Sequence, residues 1–187
     1  MPVTTLDAHT ALLIVDLQKG VVGMPGAHPV DGVVANSRLL LDAFRARGLP
    51  VVLITVAGVP SGRTEAGSSL GSLPPGFDEL IAELDQQPED IHIVKHARGA
   101  FTKTGLDERL TELGVTQVVI AGIATSAGVE STGRQAHENG YNVTLATDAM
   151  TDRSLEAHEH SVATVFPRIS ETGTTAEIIA LLERTHP

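Results

Sequence analysis

Val118-Val119-Ile120-Ala121-Gly122-Ile123-Ala124-Thr125-Ser126-Ala127-Gly128-Val129-Glu130-Ser131-Thr132 decides the fold of this chain of 187 residues. It reads as a buried strand over residues 117–122, a turn of small residues, and a helix over residues 128–139 stopped by Gly140. Strand, turn and helix in that order make part of a βαβ unit, the building block of a parallel sheet. The turn also sets backbone amides and a helix N-terminus beyond the strand's carboxyl end. Developing negative charge can be stabilised there.

Working outward, the same alternation recurs. Apolar, β-branched runs at residues 11–16, 51–56, 91–95 and 142–147 read as further strands. Helical periods fall at residues 36–47, 106–113, 155–165 and 174–184, with Ile169-Ser170 as a short edge strand between the last two. Gly48 and Pro50 stop the first of these helices, and Gly114 the second. Right-handed crossovers then give an α/β fold: one domain over residues 1–187, a three-layer α/β/α sandwich with a mostly parallel sheet. Residues 57–75 are rich in Gly, Ser and Pro and form a long loop after the second strand. Either a binding segment or a loop without a role fits that composition.

Composition narrows the function classes. Hydrophobic residues make up 42% and aromatics only 3%, so the core must be aliphatic, as suits strands buried on both faces. The net charge of −10 argues against a nucleic-acid partner, because an acidic chain gains nothing from counterion release. The absence of cysteine excludes disulfides and thiolate chemistry and fits a cytoplasmic protein. The N-terminus has no signal-peptide pattern, and no apolar run is long enough to span a bilayer, so no membrane partner is expected.

Open α/β sheets bind ligands beyond the carboxyl ends of their strands. Asp16 ends the first strand, Lys95 the third, and the turn with Gly128 follows the fourth. Alone, Asp16 reads as a turn former and Lys95 as a surface charge. Arg63, Arg98 and Phe101 could line a pocket. The arginines are equally at home in solvent, and Phe101 in the core. His28 and His96 lack the spacing of a ligand set, His158 and His160 do not share a helix face, and residues 57–70 contain no His or Asp. No metal and no cofactor is expected, and the Gly122-to-Gly128 spacing fits neither the dinucleotide nor the P-loop pattern.

Three separated motifs stand in order: Asp16-Leu17-Gln18, Lys95-His96-Ala97-Arg98-Gly99-Ala100-Phe101, and Gly122 to Val129. Together they resemble the signature of the isochorismatase-like hydrolases: Asp-x-Gln, Lys-x-x-x-Ser-Ala-Phe and Gly-x-x-Thr-x-x-Cys-Val. The likeness continues through Asn142-Val143-Thr144-Leu145-Ala146-Thr147-Asp148-Ala149 and Thr174-Thr175-Ala176-Glu177. It implies a six-stranded sheet of order 3-2-1-4-5-6, which sets Asp16 beside the turn. It also implies a cis peptide at Ile123–Ala124, a homo-oligomer and a small-molecule substrate. Gln18, Arg63, Phe101, Ala124 and Thr125 become candidate substrate contacts.

Two positions depart from the pattern: Gly99 replaces Ser, and Gly128 replaces the nucleophilic Cys. A glycine has no attacking atom. Ser126 is the better-placed hydroxyl of Ser126 and Ser131, but both also fit a role in satisfying backbone groups of the turn. The resemblance implies a second branch, the true isochorismatases, which carry Gly here and keep the Asp and Lys. There a carboxylic acid protonates the vinyl carbon of an enol ether and water completes the cleavage. On that pattern Asp16 is the general acid and Gly128 a vacant nucleophile position, while Lys95, which favours the ionised carboxylate, should hydrogen-bond the substrate or sit a little away from Asp16. Thr125, however, matches the cysteine branch. The alternative is a non-catalytic relative that binds a small ligand or serves as an oligomeric scaffold.

Overall fold

Thr10–Val15 forms β1, and its TALLIV sequence is buried along its whole length. Leu12 and Ile14 face one side of the sheet, and Ala11, Leu13 and Val15 face the other, so both faces need cover. The computed structural model describes residues 2–65 and 73–186. Its strands are β1, β2 (Val51–Val56), β3 (Ile91–Lys95), β4 (Gln117–Ile123), β5 (Asn142–Thr151) and β6 (Glu171–Gly173). They pair in parallel in the order β3-β2-β1-β4-β5-β6, as the resemblance implied.

The helices are α1 (Lys19–Val22), α2 (Val30–Arg45), α3 (Leu106–Glu112), α4 (Glu130–Glu138), α5 (Leu155–His160) and α6 (Thr175–Thr185). Val33, Leu40, Leu41 and Phe44 of α2 and Ile178, Leu181 and Leu182 of α6 pack on one face of the sheet. Leu106 and Leu110 of α3, Ala136 of α4, Val165 and Phe166 cover the other. This is the expected three-layer α/β/α arrangement. No helix among the described residues is long and apolar enough to cross a membrane.

Several boundaries differ from the sequence reading. The first strand stops at Val15, and Asp16 lies just beyond it with φ 55. The helix read over residues 36–47 starts at Val30, because Pro29 caps it and Val33 already packs in the core. The last strand of the central group runs on to Thr151, past a register irregularity between Ile120 and Gly122 of β4. The edge strand is Glu171–Gly173 rather than Ile169-Ser170, whose N–H groups both donate back to the Phe166 carbonyl. The helices read over residues 128–139 and 155–165 each contain a π-helical turn, Thr125–Val129 before α4 and Ser161–Val165 after α5. Residues 57–64 of the long loop carry no helix or strand, and residues 66–72 lie outside the described residues.

Candidate active site

The site begins at a close approach of β1 and β4. Val15 pairs with Gly122, whose φ is 123, and a Cβ on Gly122 would stand 2.0 Å from the Val15 carbonyl oxygen. Only glycine fits there. The close approach carries the following turn directly over the end of β1. The Ile123–Ala124 peptide is cis, as expected.

Asp16 and Lys95 meet at this point, so Lys95 pairs directly with the carboxyl instead of sitting a little away from it as the sequence reading expected. The Lys95 Nζ donates to Asp16 Oδ2 at 2.8 Å and to the Ala97 carbonyl at 3.3 Å. Both side chains are buried, with 6% and 1% of the residue surface exposed. Asp16 Oδ1 is buried without a hydrogen-bond partner. Burial raises the Asp16 pKa from 3.8 to about 6, although the Lys95 charge and hydrogen bond pull it down. The carboxyl can therefore hold a proton near neutral pH, and Lys95 occupies the other oxygen.

Gly128 lies across from this pair. A Cβ there would point at Asp16 Oδ2 and Val15 Cγ1, 3.0 Å from each. The Thr132 hydroxyl holds the second half of the turn by donating to the Gly128 carbonyl at 2.7 Å and accepting from the Ala100 N–H at 3.1 Å. Ser126 makes its hydrogen bonds to Asp152 and none to Asp16. Its N–H and Oγ both donate to Asp152 Oδ2, at 2.7 and 2.8 Å.

A crevice of about 340 Å³ opens over these groups. Val21, Met24, Pro25, Val56, Phe77 and Ile123 make most of its wall apolar, and Asp16, Lys95, Arg98, Asp152 and Arg153 add the charges. A larger hollow of about 650 Å³ lies at the other end of the sheet, around Val51 and Ile91. It contains neither Asp16 nor Lys95, so the smaller crevice is the candidate site.

The sequence-predicted residues divide. Asp16, Lys95, Gly128, Ala124 and Arg98 line the crevice. Gln18 does not. It is fully buried, and its amide holds backbone by donating to the Val56 and Phe77 carbonyls and accepting the Val56 N–H. Thr125 is also buried, its hydroxyl 2.8 Å from His158 Nδ1. Phe101 packs against Tyr141 with ring centroids 5.9 Å apart, at the margin of the core that holds Leu106 and Phe166. Arg63 is exposed and away from the crevice wall. Among the described residues no group of three His, Asp or Glu side chains could hold a metal ion.

Sequence reasoning missed Asp152, Arg153 and the segment from Val21 to Gly26. The Asp152-Arg153 pair before the N-cap Ser154 was the available signal for a polar corner at the end of β5.

A family model, the isochorismatase domain, matches residues 10–177. The chain belongs to the isochorismatase family. Among family members, YecD of Escherichia coli O157:H7 is 37% identical over 180 residues, covering 92% of this chain and 96% of that protein. YwoC of Bacillus subtilis is 38% identical over 180 residues, covering 91% and 92%. The solved structure of an isochorismatase family protein from Burkholderia thailandensis superposes with a TM-score of 0.92 at 38% identity, covering 96% of this chain and 98% of the other. The crevice over Asp16, with glycine at residue 128, is thus the candidate site of an isochorismatase-family member.

Proposed function

We propose that this isochorismatase-family protein hydrolyses a small molecule through Asp16 and Lys95 without a covalent intermediate, by enol-ether cleavage. The observation that carries the reading is the buried Asp16 carboxyl, with a pKa of about 6, Lys95 on Oδ2 and no partner on Oδ1. The ammonium on Oδ2 assigns the proton to Oδ1. A buried carboxylic acid of that strength suits general acid catalysis near neutral pH.

In the step we propose, Asp16 gives its proton to the terminal carbon of a vinyl ether. Positive charge develops on the ether carbon and oxygen. Water adds to that carbon, and the proton it sheds returns to Asp16. The resulting adduct passes its hydroxyl proton to the ether oxygen and breaks into an alcohol and a carbonyl compound, which is pyruvate if the vinyl group carries a carboxylate. Gly128 leaves room above Asp16 where a side chain would stand 3.0 Å from Oδ2. Arg98 and Arg153 at the crevice wall have no carboxylate partner among the described residues, which favours an anionic substrate.

The glycine at residue 128 also favours a second reading: a non-catalytic relative that binds a small ligand in this crevice or acts as an oligomeric scaffold. One experiment separates the two. Purified wild type and Asp16→Asn are assayed on isochorismate and a panel of small amides and ureides. Pyruvate release that falls by about 10²-fold or more in Asp16→Asn supports the acid mechanism. Ammonia release would move the chemistry to an amide carbon, and equal turnover in both proteins would rule Asp16 out. Ser126→Ala should keep turnover within about tenfold of wild type, since the Ser126 hydroxyl is bonded to Asp152 and not to Asp16. We also read the protein as a cytoplasmic homo-oligomer, to be checked by light scattering.

A further inference from the structure

Asp152 lies outside the three motifs, just past the end of β5, with 6% of its surface exposed. Its Oδ2 accepts the Ser126 N–H at 2.7 Å and the Ser126 hydroxyl at 2.8 Å. Its Oδ1 accepts the N–H groups of Arg153 at 2.8 Å and Ser154 at 3.4 Å. Its own carbonyl accepts the Ala27 N–H at 2.6 Å. One residue therefore ties together the Thr125–Val129 turn, the loop that leads into α2, and the corner between β5 and α5.

Both carboxylate oxygens are engaged by the protein, so Asp152 is badly placed to act as a substrate ligand or a proton donor. Burial pushes its pKa up, but the bonds from Ser126, Ser154 and Arg153 outweigh burial and hold it below the usual carboxylate range. It stays an anion at neutral pH, and the tie does not switch there.

The turn it ties is the one that carries Gly128 against Asp16. The Gly128 backbone is close enough that a Cβ would stand 3.0 Å from Asp16 Oδ2. Thr132 holds the second half of the turn. Ser126 on Asp152 and Thr125 on His158 hold the first half.

We propose that Asp152 is a positioning residue: it pins the Thr125–Val129 turn over Asp16 and keeps water off the Asp16 carboxyl. This rests on the reading of Asp16 as the general acid. The charge acting on Asp16 is that of Lys95. Arg153 adjoins Asp152, and His158, with His28 and Glu159 acting on it, faces Asp152 from α5. The effect of removing Asp152 therefore travels through water reaching Asp16 rather than through direct charge coupling. Loosening the turn relieves the desolvation that raises the Asp16 pKa, so less of the carboxyl is protonated at neutral pH.

The test is a ¹³C NMR titration of protein labelled at the aspartate carboxyl carbons, with the Asp16 signal assigned from Asp16→Asn. Wild type, Asp152→Asn and Ser126→Ala are compared, and turnover is followed over the same pH series. In Asp152→Asn the Asp16 midpoint should fall by about one pH unit. That is a tenfold loss of the protonated form above the midpoint, and kcat should follow it. Ser126→Ala keeps the backbone bond to Asp152 and should show a smaller fall, about threefold in the protonated form. An Asp16 midpoint unchanged in a folded Asp152→Asn overturns the proposal, and so does a loss of thermal stability with no change in that midpoint. If Asp152→Asn does not fold, the Ser126→Ala midpoint decides. The titration needs no substrate, so an inactive protein would sink the hydrolase reading while leaving the positioning role open to the same measurement.

Discussion

At the scale of single residues, the unusual feature is a buried acid that shares its site with a buried base. Asp16 is held in a left-handed backbone conformation, which Asp tolerates better than most residues. Its carboxyl pairs with Lys95 yet keeps one oxygen bare. The folded-state pKa of about 6 lies above the usual 3.8. The stabilisation from the protonated form is therefore complete below about pH 3.8 and is lost as pH rises through about 6. A shift of that size corresponds to about 3 kcal/mol. Wild type should lose about that much stability relative to Asp16→Asn between roughly pH 4 and 7, measured by urea unfolding. A constant difference between the two proteins across this window would mean that Asp16 is not desolvated. Turnover that depends on the protonated acid should decline above about pH 6 in the same samples.

At the scale of elements, the contact between β1 and β4 sets the geometry of the site. Gly122 has φ 123 and no room for a Cβ beside the Val15 carbonyl. Gly122→Ala should cost about 3 kcal/mol or more, through the forbidden φ and the forced separation of the strands. A melting temperature within about 2 °C of wild type would contradict that close approach. The motif signal at Gly122 was legible because the sequence pattern required a glycine there. The reason for it, the Val15 oxygen, was not legible, because Val15 is more than a hundred positions away in the chain. Element boundaries show the same division. Buried strands stood out as short apolar runs. The start of α2 did not, since Asp31 and Gly32 interrupt its apolar period while Val33 still packs in the core.

At the scale of the whole molecule, two aliphatic cores hold one sheet between two helical layers. Phe44 is fully buried in the core under α2 and α6, and Phe166 in the core on the other face. Phe44→Ala should cost about 3–5 kcal/mol by leaving a cavity, while the Asp16–Lys95 pair stays intact. In protein that remains folded, the pH profile of turnover should keep its midpoint. A moved midpoint would mean that packing beneath the sheet reaches the site. The hollow over Asp16 is the candidate site because parallel strands end there together, bringing Asp16, Lys95 and the turn to one rim.

The sequence by itself determined the α/β class, five of the six strands to within a few residues, and the three motifs that place Asp16, Lys95 and Gly128. These depend on local pattern, which survives in one dimension. Tertiary structure alone decided which side chains face the crevice. Gln18 and Thr125 sit within matching motifs, but their polar groups are taken up by backbone and by His158. Phe101 turned to Tyr141. Asp152 entered the site because β5 runs four residues beyond its apolar run and delivers a carboxylate to Ser126. The direction of a side chain and the identity of its hydrogen-bond partner follow from contacts between distant segments. So does the desolvation that makes Asp16 a weak acid, because it comes from the turn and the neighbouring strands closing over it.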